Sequence, residues 1–168
     1  MSVAGAGTLG GTGTVNGAVT VDGSIAPGPA SGTGIGTLTV NNNVTWNSGV
    51  NWKFNLAATG TSSDLLNITG TGSDFDKGSG ATGTFIFDFM DSTPEWNKTF
   101  TLVRWADTTD FVLDDFDYTN LGGGRTGTFT LDTTNRTLSF TAIPEPRSAL
   151  LGGLATLLLL RRRRALHA

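Results

Sequence analysis

Residues 50–56 alternate without a break: Val50, Trp52, Phe54 and Leu56 fall on one side, Asn51, Lys53 and Asn55 on the other. A period of two predicts a half-buried strand. Shorter β-prone pieces recur upstream between glycine turns, at 13–16, 18–22, 36–40 and 43–46. A further piece at 64–69 ends at Gly70. Beyond residue 73 the pieces become more aromatic. Phe85, Phe87 and Phe89 share a face, as do Phe100 and Leu102. Phe129 and Leu131, then Leu138 and Phe140, flank a turn at 132–136 and predict a final hairpin. No stretch of 73–142 keeps a 3.6-residue apolar period, so no helix is predicted there.

Strands this short bury little area alone and need neighbours stacked on them. The expected fold is therefore all-β. Residues 1–72 form solenoid-like rungs with an irregular period of about twenty residues, and residues 73–142 form an antiparallel sheet that caps them. A flexible Gly/Thr linker is the competing reading, above all for residues 1–36.

Composition supports strands over helices. The 168 residues include 24 Gly and no Cys, and 15% are charged, against roughly a quarter in an average domain. Without cysteine there is no disulfide framework and no thiolate metal site. Residues 1–146 hold 14 acids and 6 bases, a balance of −8; residues 147–168 hold five Arg and no acid, a balance of +5. An acidic body with a basic end suits a membrane-facing tail and not nucleic acid. The first residues carry no basic, apolar secretory leader. Since the tail makes sense on an exported protein, the chain reads as a fragment, or as one whose start lies upstream.

The tail, 143–168, opens with Ile143-Pro144-Glu145-Pro146, which is expected to break secondary structure. Residues 148–160 are almost wholly apolar, and Arg161, Arg162, Arg163 and Arg164 close the run. The run is short for a full membrane span. Four consecutive arginines favour cytoplasmic headgroups and snorkel to extend it. The expectation is a short C-terminal membrane helix with the body outside.

In this three-part order, residues 143–164 resemble the PEP-CTERM sorting signal of Gram-negative bacteria. The resemblance implies recognition by an exosortase, a membrane-embedded transpeptidase-like enzyme. Pro144, Glu145 and Pro146 would then be the recognised motif, and Arg161 to Arg164 the stop and orientation element. Arg147 beside the motif and the brief apolar run depart from the pattern. Residues 6–72 are similar to autotransporter-associated β-strand repeats, most tellingly in Ile25-Ala26-Pro27-Gly28 followed by Gly36-Thr37-Leu38-Thr39-Val40. Such repeats form right-handed parallel β-helices in exported passenger domains, which implies a surface scaffold.

Catalytic resources are few, and no cofactor is expected. The one histidine, His167, lies beyond the arginines, which excludes a Ser-His-Asp triad. The glycine spelling from Gly5 to Gly10 lacks the strand–turn–helix setting of a dinucleotide loop. Asp107, Asp110, Asp114, Asp115 and Asp117 form the acidic cluster. It reads as a solvated loop, with Asp114, Asp115 and Asp117 as calcium candidates. Trp46, Trp52, Trp96 and Trp105 are candidates for a carbohydrate platform. Trp52 reads as core from its alternation, and Trp96, in a polar stretch, is the best candidate for exposure. The leading reading is an exported structural or adhesive surface protein that is not an enzyme. Its partners are an exosortase-like enzyme, the membrane and extracellular polysaccharide. The alternatives are the end of a polysaccharide-active β-helix enzyme, or a carbohydrate-binding module.

Overall fold

The computed structural model describes residues 1–29 and 34–144. Within them, regular structure is strand, apart from one 3-10 turn at Leu113–Asp115. The chain passes three faces in a repeating order. The first circuit is β1 (Ser2–Val3), β2 (Thr8–Gly11) and β3 (Thr14–Asn16); the second is β4 (Val19–Val21), β5 (Ser24–Pro27) and β6 (Thr37–Asn41). The third is β7 (Val44–Trp46), β8 (Trp52–Lys53) and β9 (Leu65–Thr69), and the fourth β10 (Phe75–Lys77), β11 (Phe85–Ser92) and β12 (Lys98–Arg104).

Counterparts in successive circuits pair in parallel. The first face runs β1-β4-β7-β10, and the third runs β3-β6-β9-β12. The second is split into β2-β5 and a sheet that contains β8 and β11. Across the split, Ser24 Oγ donates to the Asn51 carbonyl at 2.7 Å. The fold is thus all-β with several parallel sheets in a β-helix-like arrangement. The sheets cross residue 72: β10 lies on β7, β11 on β8 and β12 on β9.

Register stacks inward side chains in columns. Val19, Val44 and Phe75 form one column, Leu38, Leu66 and Val103 another, and every member is buried. Circuits widen along the chain. Ser2 lies beside Thr20, Val19 beside Val44, Val44 beside Phe75, and Phe75 bridges to Thr109, giving spacings of 18, 25, 31 and 34 residues. The expected period of about twenty therefore fits the first circuit only. A wider circuit encloses more volume, and native packing density leaves few voids. Valine columns accordingly give way to aromatics. Trp46 and Trp52 stack with centroids 3.8 Å apart, and Phe85 and Phe87 meet Trp46 edge-on at 5.2 and 5.3 Å.

The C-terminal end is closed differently. Strand β13 (Phe116–Leu121) adds to β11 in parallel; β14 (Arg125–Asp132) and β15 (Thr137–Pro144) then form an antiparallel hairpin. Strand β15 also pairs antiparallel with β12, so the third face reverses direction at its end. The predicted hairpin turn is present. Asp132 Oδ1 accepts from the backbone N–H groups of Thr134 and Asn135 at 3.0 and 2.8 Å.

Three expectations are corrected. The pieces around Phe85–Ser92 and Lys98–Arg104, assigned to the antiparallel cap, instead continue the parallel circuits. The linker reading fails for residues 1–29 and 34–36, which build strands and ordered corners. Ile143 and Pro144 do not break β15. Pro144 faces Arg125 on one side, while β12 begins opposite Ala142, so the missing proline N–H interrupts no ladder there. Glu145, Pro146, residues 148–160 and Arg161 to Arg164 lie outside the described residues.

Replacing Trp46 by Ala removes the centre of the aromatic stack. Chemical denaturation followed by circular dichroism should show a loss of about 3–5 kcal/mol, at the upper end for core truncations.

Candidate functional site

Of the four tryptophans, Trp46 and Trp52 have no exposure and Trp105 has 3%, whereas Trp96 is 44% exposed. A four-tryptophan platform is therefore ruled out, because three of the indoles fill the core. Trp96 sits in the turn between β11 and β12. The turn is shaped by left-handed residues: Met90 and Asp91 (φ 52° and 58°) in the β11 bulge, and Asn97 (φ 59°) just before β12. Pro94, between them, is buried.

Arg125, the first residue of β14, lies over the Trp96 ring with its guanidinium carbon 5.8 Å from the centroid. Arg125 Nε donates to the Pro94 carbonyl at 2.5 Å, which fixes the head group. Asn97 N–H donates to the Ala142 carbonyl at 2.7 Å, and Pro144 is the register partner of Arg125. Pro144 thus lies in register with the arginine that backs an exposed indole. Such a pair offers an apolar face and guanidinium donors to a sugar ring or a peptide.

The acidic residues do not converge. Asp115 is fully buried; its Oδ1 meets Lys77 Nζ at 2.5 Å and its Oδ2 accepts from Val112 N–H at 2.9 Å. Asp110 Oδ1 accepts from Lys77 N–H at 2.5 Å. Asp117 Oδ1 accepts from Tyr118 N–H at 2.8 Å, and both Asp114 and Asp117 are exposed. Among the described residues, no group of three or more His, Cys, Asp or Glu could hold a metal ion. The calcium expectation at Asp114, Asp115 and Asp117 is corrected accordingly: Asp115 turns inward to a lysine, away from the other two. Asp114 and Asp117 instead border an open groove of about 580 Å³ with Tyr118 and Phe129.

Other polar residues work at the corners. Asn43 Oδ1 accepts from Asp74 N–H at 3.2 Å, and Asp74 Oδ1 from Thr108 N–H at 2.9 Å. Asn47 Nδ2 donates to Asp22 at 2.7 Å while its Oδ1 accepts from Ser79 N–H at 2.8 Å. Each chain of bonds climbs from one circuit to the next. Asp64 is fully buried and accepts from Gly36 N–H (2.8 Å), Asn55 N–H (2.7 Å) and Asn55 Nδ2 (3.0 Å). Gly28 stands against it at φ 104°, where a Cβ would lie 2.7 Å from Asp64 Oδ1. Burial pushes the Asp64 carboxyl above its ordinary range, although all three bonds pull it down. Asp74 is held below its range by its bonds from Thr108. Asn-rich composition signalled turns, but nothing in spacing alone announced these ladders or the burial of Asp64 and Asp115.

No helix of the described residues is long and apolar enough to cross a membrane. No protein-family model matches the chain, and no curated protein matches it.

Carboxyl-carbon NMR titration should place Asp64 above, and Asp74 below, the ordinary aspartate range. The signs are opposite. Asp64 keeps in the fold a proton that the unfolded chain has released, so its contribution weakens stability as pH rises through that window. Asp74 stabilises the fold above its unfolded value, and this support is lost as pH falls through its lowered one. Asp64→Asn should cost about 1–3 kcal/mol, because one carboxylate oxygen that accepts N–H bonds becomes a donor.

Proposed function

We propose that the chain is an exported, surface-associated structural or adhesive protein of a Gram-negative-type bacterium, sorted through its C-terminal tail. The observation that carries this reading is the three-part order of the tail, attached directly to the last strand. Pro144 is both the end of β15 and the first residue of Pro-Glu-Pro. On this reading an exosortase-like enzyme recognises Pro144, Glu145 and Pro146. Residues 148–160 form a short membrane helix, and Arg161 to Arg164 stay on the cytoplasmic side. The chain is held in the cell envelope or at the cell surface, transiently or permanently.

The body is read as a right-handed parallel β-helix, the hand that parallel crossovers almost always take, closed by its antiparallel hairpin. Its role is that of a scaffold and not an enzyme. Supporting this, Asp22, Asp64 and Asp74 are engaged at the corners, and Asp115 is paired with Lys77. A second reading, binding of extracellular polysaccharide, is favoured by the exposed Trp96 ring under Arg125.

In native cells the body should fractionate with the envelope. Replacing Arg161 to Arg164 by Gln, or Glu145 by Ala, should leave folding intact and shift most of the protein out of that fraction. Envelope localisation unchanged by both variants would remove the sorting role. Polysaccharide pull-down should fall at least tenfold in Trp96→Ala, whose fold circular dichroism can verify; equal retention would remove the second reading.

A further inference from the structure

On the first face, one inward column reads Val3, Val21, Trp46 and then Lys77. Three circuits place an apolar side chain at this position, and the fourth places an amine. Lys77 Nζ lies 5.7 Å from the centroid of the Phe85 ring. Phe111 packs on Phe85 at 5.0 Å and on Phe116 at 4.9 Å, walling the site with aromatic rings. Asp115 enters from the following partial circuit with no side-chain exposure, its Oδ1 2.5 Å from Nζ. The other ion pair among the described residues, Lys98 with Glu95, is 3.7 Å long and exposed at both ends. The Lys77 side chain keeps 24% exposure while that of Asp115 has none. An ion pair with a buried member stabilises little compared with apolar packing of the same volume, so the pairing at this inward position calls for another reason.

We propose that Lys77 and Asp115 condense to form an intramolecular amide cross-link. The Lys77 ammonium passes a proton to Asp115 Oδ1. The nitrogen lone pair attacks Cγ, and the carbonyl electron pair moves onto Oδ2, where the Val112 N–H already donates at 2.9 Å. This donor is placed as an oxyanion hole requires. Oδ1 takes a second proton from the same nitrogen and leaves as water with its bonding pair, and the pair on Oδ2 returns to remake the carbonyl. One N–C bond forms, one C–O bond breaks, and no oxidant, reductant or cofactor is needed. Fixed proximity replaces a bimolecular encounter, and full burial of the Asp115 carboxyl limits the access of the water that would reverse the step. In a chain with no cysteine, the bond does what a disulfide does elsewhere, fastening the fourth circuit to the segment that closes the core.

The test is the intact mass of the purified full chain, with peptide mapping. The mass should be lower than the sequence requires by one water. Trypsin should fail to cut after Lys77, and a branched peptide should join residues 77 and 115. Lys77→Arg, which keeps the charge, and Asp115→Ala should each have the full sequence mass. A folded wild-type chain with the full mass and a normal tryptic cut after Lys77 has an ion pair only, and overturns the proposal. None of these readouts depends on how the tail is used, so they stand apart from the sorting experiment.

Discussion

Lateral stacking of very short strands is the constraint on which the rest depends. In the first three circuits no strand exceeds five residues. A segment of that length cannot enclose a core, and its backbone groups find partners only on the circuits above and below. Each circuit therefore borrows its stability from its neighbours. This explains why inward columns stay apolar through successive circuits, and why an exception such as Lys77 stands out.

Stacking also sets what the corners must do. A widening circuit moves its loops away from the ladders, and their N–H groups need other acceptors. Asn43, Asn47, Asp74 and Asp64 supply them, linking corner to corner with side-chain oxygens. The aromatic layer answers the same widening from inside. The Trp46–Trp52 stack and the phenylalanines around it fill a cross-section that valine filled in earlier circuits. At the C-terminal end, the reversed hairpin occupies the edge that a further parallel strand would otherwise seek.

Much of this was legible in the sequence because alternation survives in short pieces. The core positions Trp52, Phe54 and Leu56, the three phenylalanines of 85–89 and the hairpin around 132–136 follow from period two and turn chemistry, although of 50–56 only Trp52–Lys53 forms strand and Val50 is half-buried. What was not legible is pairing. Parallel and antiparallel neighbours share one alternation, so 85–89 and 98–105 read as cap strands until register placed them on β8 and β9. Circuit length was hidden for a related reason: loops of unequal size separate equivalent positions, and a fixed period does not survive them. The inward turn of Asp115 was hidden by its four acidic neighbours in sequence, which suggested a solvated loop. Trp96 was found because its surroundings are polar, a signal that reports exposure directly.

The shared residue Pro144 has a mechanical meaning. Strand β15 lies between β14 and β12 and runs antiparallel to both. Tension applied at Pro144 along the strand axis would load its bonds to both neighbours together in shear. A strand at the rim would instead unzip one bond at a time. Under the sorting role proposed above, the body would be held by a strand with partners on both sides.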